Sequence, residues 1–234
     1  MSEKNVKFIP IVSSGRATEL IFHHWSKTYH DVPDAVIVEG PLAGGHLGFR
    51  KEQIDKPSYS LENIFPDVLD VVKRHASEHG KEIPVIAAGG IYTGQDIRKI
   101  FEFGANGVQM GTRFVTTNEC DASKEIKQAY LDCRKEDVII INSPVGLPGR
   151  AIKNQFLDEV ADGKRHPFSC PWKCLKSCNY TTANYCISIA LIKAKKGNID
   201  QGFAFAGANA WRSNTIISVK ELFNNLSSEY MSGY

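Results

Sequence analysis

Two short, unbroken apolar runs, 34-DAVIVEG-40 and 83-IPVIAAGG-90, end in glycine and are each followed by a stretch with helical spacing. A strand with one wet face alternates apolar and polar residues. A continuous run means that both faces are covered, as in a parallel sheet with helices on either side. Parallel strands cannot be joined by hairpin turns and need a crossover, usually a helix. Ala17, Leu20, Ile21, Trp25 and Tyr29 recur at three-to-four-residue spacing and predict an amphipathic helix over 16–29, stopped before Pro33. Phe65, Val68, Leu69, Val72 and Ala76 predict a second over 61–80, with Pro66 in its first turn and Gly80 just past its end. Ile97, Ile100 and Phe101 mark a third over 95–104, and a fourth is expected over about 122–134. With strands at 6–14 and 105–111, the chain reads as strand and helix four times over.

The fold class expected is therefore α/β: a partial TIM-type (β/α) barrel of about four βα units over residues 1–134. An appended C-terminal segment, 135–234, is helical and cysteine-containing and is expected to pack on the barrel. It holds a strand-like 137–143, a Pro- and Gly-rich 144–154, and helices near 186–198 and 218–230. No two strands are separated by a tight two-residue turn, so an antiparallel sandwich is not expected.

Composition narrows the function. Apolar residues make up 42% of the 234 positions and charged ones 23%, with a net charge of +2 and no basic stripe interleaved with aromatics. Such a chain has no electrostatic case for a nucleic-acid partner. Its longest apolar runs are far too short for a membrane span, and the N-terminus lacks the order of a signal peptide. Six cysteines without a secretory signal read as reduced thiols, so a cytoplasmic location is expected.

The ends of parallel strands are where such folds place their chemistry. Ala88, Gly89 and Gly90 end one run; Gln109, Gly111 and Thr112 end the next. A phosphate needs close approach of backbone amides, which glycine allows, so these residues are candidates for a phosphate-bearing cofactor. After the run ending at Gly40, Gly44 and Gly45 precede His46, which is expected to point into the barrel mouth. Its imidazole titrates near neutrality and suits proton abstraction. Glu39 is a candidate substrate or supporting residue, as are Ser13 and Ser14, one of which is equally expected to cap the following helix. Arg113 carries less of the argument. His23, His24, His30, His75, His79 and His166 are read as solvated.

The segment 83-IPVIAAGGIYTGQDIRKIFEFGANGVQMGTRFVTTNE-119 resembles the FMN-phosphate region of the nitronate monooxygenase (2-nitropropane dioxygenase) family, which also includes flavin-dependent enoyl-ACP reductases. The glycine-rich 34-DAVIVEGPLAGGHLGF-49 is similar to the family's second hallmark, and likeness continues through 143-SPVGLPGRAIKN-154 and 202-GFAFAGANAWR-212. The resemblance implies FMN as cofactor, a nitronate or other activated carbon acid as substrate, O2 as oxidant, and His46 as the base. It leaves open an NAD(P)H-dependent enoyl-ACP reductase. Family members begin with about four further βα units that nothing here resembles, so this chain matches their strands five to eight. Pairing with a second copy, or with a separate N-terminal half, is expected.

Cys170, Cys174 and Cys178 recur every four residues, with Cys186 beyond them. On a helix that spacing would stack three thiols on one face, but metal sites more often use two-residue gaps. A structural role is expected ahead of metal binding.

Overall fold

Val36, Val38, Val85 and Ala87 have at most 1% of their surface exposed, and the residues between them are half-buried. Both faces of these strands are covered, as the continuous runs require. The computed structural model describes residues 6–170, 173–176 and 178–232. In chain order the elements are β1 (Ile11–Val12), α1 (Gly15–Tyr29), β2 (Val36–Glu39), β3 (Gly45–His46), α2 (Leu61–His79), β4 (Val85–Ala88), α3 (Gly94–Glu102) and β5 (Gly107–Gln109). Then follow α4 (Thr112–Val115), α5 (Lys124–Leu131), β6 (Val138–Asn142), β7 (Pro148–Ile152), α6 (Gln155–Ala161), α7 (Ile187–Lys195) and α8 (Val219–Met231).

The chain divides into two compact units: Met1–Pro41, Glu52–Met110 and Leu226–Tyr234 form the first, and Leu42–Lys51 with Gly111–Asn225 the second. A single cut after residue 134 does not describe this division. The loop after β2 leaves the parallel sheet because β3 pairs with β7, which lies about a hundred residues further on.

The first unit is α/β, with an all-parallel sheet in the order β1-β2-β4-β5 and one register row running Val12, Val38, Ala87, Val108. This is the βα pattern of a partial barrel. The strand expected over 6–14 shrinks to Ile11–Val12, and Val6, Phe8, Ile9 and Ile11 stay exposed along that edge. α1 turns a different face inward from the one predicted: Thr18 and Phe22 are buried, while Leu20 and Tyr29 are over 60% exposed. The inward face is chosen by α2, whose His75 meets the Phe22 ring at 5.4 Å. His75 is therefore not solvated. It is 5% exposed, continues the buried stripe Leu61, Ile64, Phe65, Val68, Val72, and lies 3.4 Å from Glu19 Oε2. Pro66 sits inside α2 beyond its first turn, and Gly80 ends the helix in the left-handed region, φ 57°.

α3 begins with a reciprocal cap: the Thr93 hydroxyl accepts from Asp96 N–H, and the Asp96 carboxylate accepts from Thr93 N–H. Thr93→Ala removes one arm of this box and is expected to cost about 1 kcal/mol, lowering Tm by roughly 2–4 °C in a calorimetric scan.

The second unit contains an antiparallel sheet, order β3-β7-β6, that the sequence did not lead us to expect. β6 and β7 form a hairpin across Ser143–Leu147, with Gly146 at φ 87°. The five-residue loop holds Pro and Gly in place of the two-residue turn signals. Two cores fill the unit. Ile141, Ala151, Phe156, Leu157, Tyr185, Ala190 and Phe203 form one; Tyr130, Cys133, Ile152, Ala204, Ala206 and Ala210 form the other. α6 was not predicted; Asn154 caps it by accepting from Leu157 N–H.

Candidate functional site

The candidate residues fall on both units. In the first, the parallel register sets Glu39, Ala88 and Gln109 side by side on β2, β4 and β5 at the C-terminal edge of the sheet. Ser13 follows β1 directly. Ser14 serves the helix instead, its hydroxyl accepting from Ala17 N–H at 3.2 Å as the N-cap of α1. Burial pushes the Glu39 carboxyl above the usual carboxylate range. Immediately beyond β4, Gly89 and Gly90 adopt φ 89° and 85°. Two successive residues in that region are open to glycine alone without strain, which explains the Gly-Gly pair physically.

In the second unit, His46 stands on β3 rather than at the end of a parallel strand. It pairs across β7 with Gly149, and Gly45 pairs with Arg150. His46 Nε2 lies 2.8 Å from Ser143 Oγ, and its ring meets the Phe205 ring edge-on at 5.0 Å. Ser143 is buried, at the base of the β6–β7 hairpin, and Phe205 bridges to Ala151 from the far end of the chain. The motif loop and the glycine-rich tail are locked together. Arg150 is 5% exposed and donates to Ala43 O at 2.9 Å, Ala208 N–H donates to Leu42 O, and Gly207 N–H donates to Thr112 Oγ1 at 3.0 Å. A Cβ on Gly44 would stand 2.6 Å from Ala206 C and Gly207 N. The Cβ positions of Gly45 and Gly111 meet nothing within 4 Å, and Gly45 has φ 84°.

Ser143, Phe205 and Arg150 escaped the sequence reading. The only signal was that 143-SPVGLPGRAIKN-154 and 202-GFAFAGANAWR-212 kept family likeness outside the two main motifs. Tyr130 also supports the tail, donating to Phe205 O at 2.8 Å, and burial raises its pKa far above the ordinary tyrosine value.

Burial lowers the His46 pKa from 6.5. A histidine whose folded pKa is depressed contributes stability that is present above the unfolded pKa and lost as pH falls through the folded one. His46 therefore stays neutral at neutral pH. An NMR titration of its ring, assigned by loss of the signal in His46→Ala, is expected to give a midpoint below 6.5. A midpoint above 6.5 would show that a carboxylate, not burial, governs the ring.

Among the described residues no helix is long and apolar enough to cross a membrane. The profile of the nitronate monooxygenase family matches residues 1–229. A probable nitronate monooxygenase of Staphylococcus aureus (strain Newman) is 36% identical over 129 residues, which is 55% of this chain and 34% of that protein. FabK from Thermotoga maritima superposes with a TM-score of 0.72 at 26% identity, over 98% of this chain and 62% of that one. Nitroalkane oxidase from Streptomyces ansochromogenes superposes with a TM-score of 0.69 at 23% identity, over 96% and 57%, and bears on the fold alone. The chain thus spans less than two thirds of the length of each of these relatives. With the profile matched from residue 1 to residue 229, this chain belongs to the nitronate monooxygenase family of oxidoreductases.

Proposed function

We propose that this chain carries the FMN-phosphate contacts and the proton-abstracting base of an oxidoreductase that oxidises alkyl nitronates with O2. The observation that carries the reading is His46: an imidazole kept neutral by burial, held by Ser143 at 2.8 Å, beside a glycine whose missing side chain opens on empty space. A base that takes the α-proton of a neutral nitroalkane, giving the nitronate that is then oxidised, must be unprotonated beforehand, and burial supplies that. With Nε2–H donating to the Ser143 hydroxyl, Nδ1 keeps the lone pair that receives the proton. The imidazolium so formed then favours an anionic nitronate.

The first unit fits a flavin phosphate. Ligands of parallel α/β sheets sit beyond the C-terminal ends of the strands, where Gly89 and Gly90 turn the backbone with no Cβ in the way. Ala88, Gly89, Gly90 and Gln109 would hold the cofactor there, and Ser13 and Glu39 on the same edge would meet substrate. When bound, FMN would supply the two-electron oxidation, with O2 as the final acceptor.

β1 is an edge of the parallel sheet, and Val6, Phe8 and Ile11 beside it are each more than half exposed. An open edge lined with apolar groups invites strand pairing. We read it as the seam where further βα units, carried by a second copy or by the family's N-terminal half, complete the barrel. Sedimentation as a monomer that binds no apolar dye would count against this.

The test is the visible spectrum of the purified chain with added FMN, then nitronate-dependent O2 uptake in the presence of its barrel complement. A bound-flavin spectrum and uptake without nicotinamide support the proposal. NAD(P)H oxidation driven by an enoyl thioester, with no nitronate turnover, would replace it with the reductase reading.

A further inference from the structure

Four of the six cysteines lie between α6 and the start of α7, and the function proposed above uses none of them. Cys170, Cys174 and Cys178 do not form a stripe on a helix, since the described residues of this stretch are non-helical. Lys173, directly before Cys174, takes φ 41°, a left-handed conformation that few non-glycine residues adopt. Eight residues beyond Cys178, Cys186 returns to the same place as the N-cap of α7, without spending its side chain on a capping bond. The outcome is one small cavity lined by all four cysteines, closed by Pro144, Val145 and Leu175. Its volume is about 20 Å³, room for a single particle the size of a water molecule or an ion.

Packing does not account for these residues. Cys133 shows what a packing cysteine looks like in this chain: it is 7% exposed in a core cluster, and burial pushes its thiol to about 11. By contrast, Cys174 is exposed, Cys170, Cys178 and Cys186 are half-buried, and all four are free thiols. All four line the same small cavity, which places the other three around Cys178. Thiols gathered in this way resist ionising together unless a cation lies between them, in which case coordination deprotonates them outright.

We propose that Cys170, Cys174, Cys178 and Cys186 form a tetrathiolate site for one zinc ion, which staples the segment before α7 together beside the β6–β7 hairpin loop. Three-residue gaps fall within the spacing that structural zinc sites use, and such sites are closed, four-coordinate and sulfur-rich. A cavity of this size selects a single ion over a larger iron–sulfur cluster. On binding, four thiols release four protons and the centre carries a net charge of −2, which Lys173 on the cavity wall partly offsets. Among the described residues only His75, Glu78 and His79 have donor atoms all within 4.8 Å of one another, so zinc binding requires the cysteine sulfurs to come closer together than they stand here. Coupling of this kind between ligand ordering and metal binding is the rule for small zinc sites. The histidine cluster is a weaker candidate, because both His79 nitrogens already engage Ser26 Oγ and His75 O.

The experiment uses the full chain, purified under reducing conditions without chelator. Elemental analysis is expected to find about one zinc per chain, with four of the thiols protected from alkylation until the metal is stripped. Cobalt substitution is expected to give thiolate-to-metal charge-transfer absorption. Cys178→Ser should lose the zinc, and Cys120→Ser, outside the cluster, should keep it. Should Cys178→Ser fail to fold, the wild-type zinc content and thiol protection decide the matter. Metal-free chains whose cluster thiols alkylate freely would overturn the proposal, as would iron with acid-labile sulfide, or disulfides found by mass among the four.

Discussion

Replacing His46 with alanine is expected to lower turnover of a neutral nitroalkane by about 10²–10⁴-fold, the usual contribution of a positioned general base, and to spare a preformed nitronate, which has no α-proton left to give. The loss should appear in kcat, because proton removal belongs to the transition state and not to substrate binding. FMN affinity should change little if Gly89 and Gly90 hold the phosphate. His46→Gln is the sharper variant, since it keeps a side-chain partner for Ser143 but cannot take a proton near neutrality. Ser143 retains a bond from Val145 N–H in either case, which limits the structural damage. In the wild type, activity should fall as pH drops below 6.5, following the lowered pKa of His46, and neither variant should keep that limb. Steady-state O2 uptake across the pH range measures all of this. A His46→Gln enzyme with wild-type kcat would remove the histidine from the mechanism.

Gly44→Ala is expected to be the most damaging one-carbon change at the site. The added Cβ would stand 2.6 Å from Ala206 C and Gly207 N, and both obstacles are backbone, so no rotamer change relieves the clash. Overpacking of this kind costs about 1–3 kcal/mol, or a Tm loss of roughly 2–4 °C per kcal/mol in a chain of this size. The tail would also be pushed off His46, since Phe205 and Ala208 hang on the displaced strand. Gly111→Ala is the control: its Cβ position is open and its φ is −119°, so its stability should stay within about 0.5 kcal/mol of wild type. Equal losses in the two variants, by calorimetry, would mean that the contact around Gly44 does not govern stability.

What was legible in the chain was short-range. β2 and β4 were readable because an unbroken apolar run has one physical meaning, burial on both faces. α2 was readable because its period and Gly80 agreed, and the paired glycines after β4 because consecutive left-handed residues leave little choice.

The pairing of distant segments was not. β3 is two residues long, below any period that a sequence can display, and it exists only because β7 offers it hydrogen bonds. The inward face of α1 depends on where α2 lies, so Leu20 could look buried and still face solvent. His75 is polar by type and buried by position, a choice made by Phe22 and Glu19. Ser143 and Phe205 reach His46 from about 100 and 160 residues away, and Cys186 joins its three fellows across a segment with no helix or strand to signal it. By itself, the sequence of this protein determined the strands and helices of the parallel sheet and the glycine pair that follows β4, because these follow from local periodicity and backbone sterics. Tertiary structure alone decided which face of each helix is buried, what holds the histidine, and where the thiols meet, because those depend on long-range packing that no local window contains.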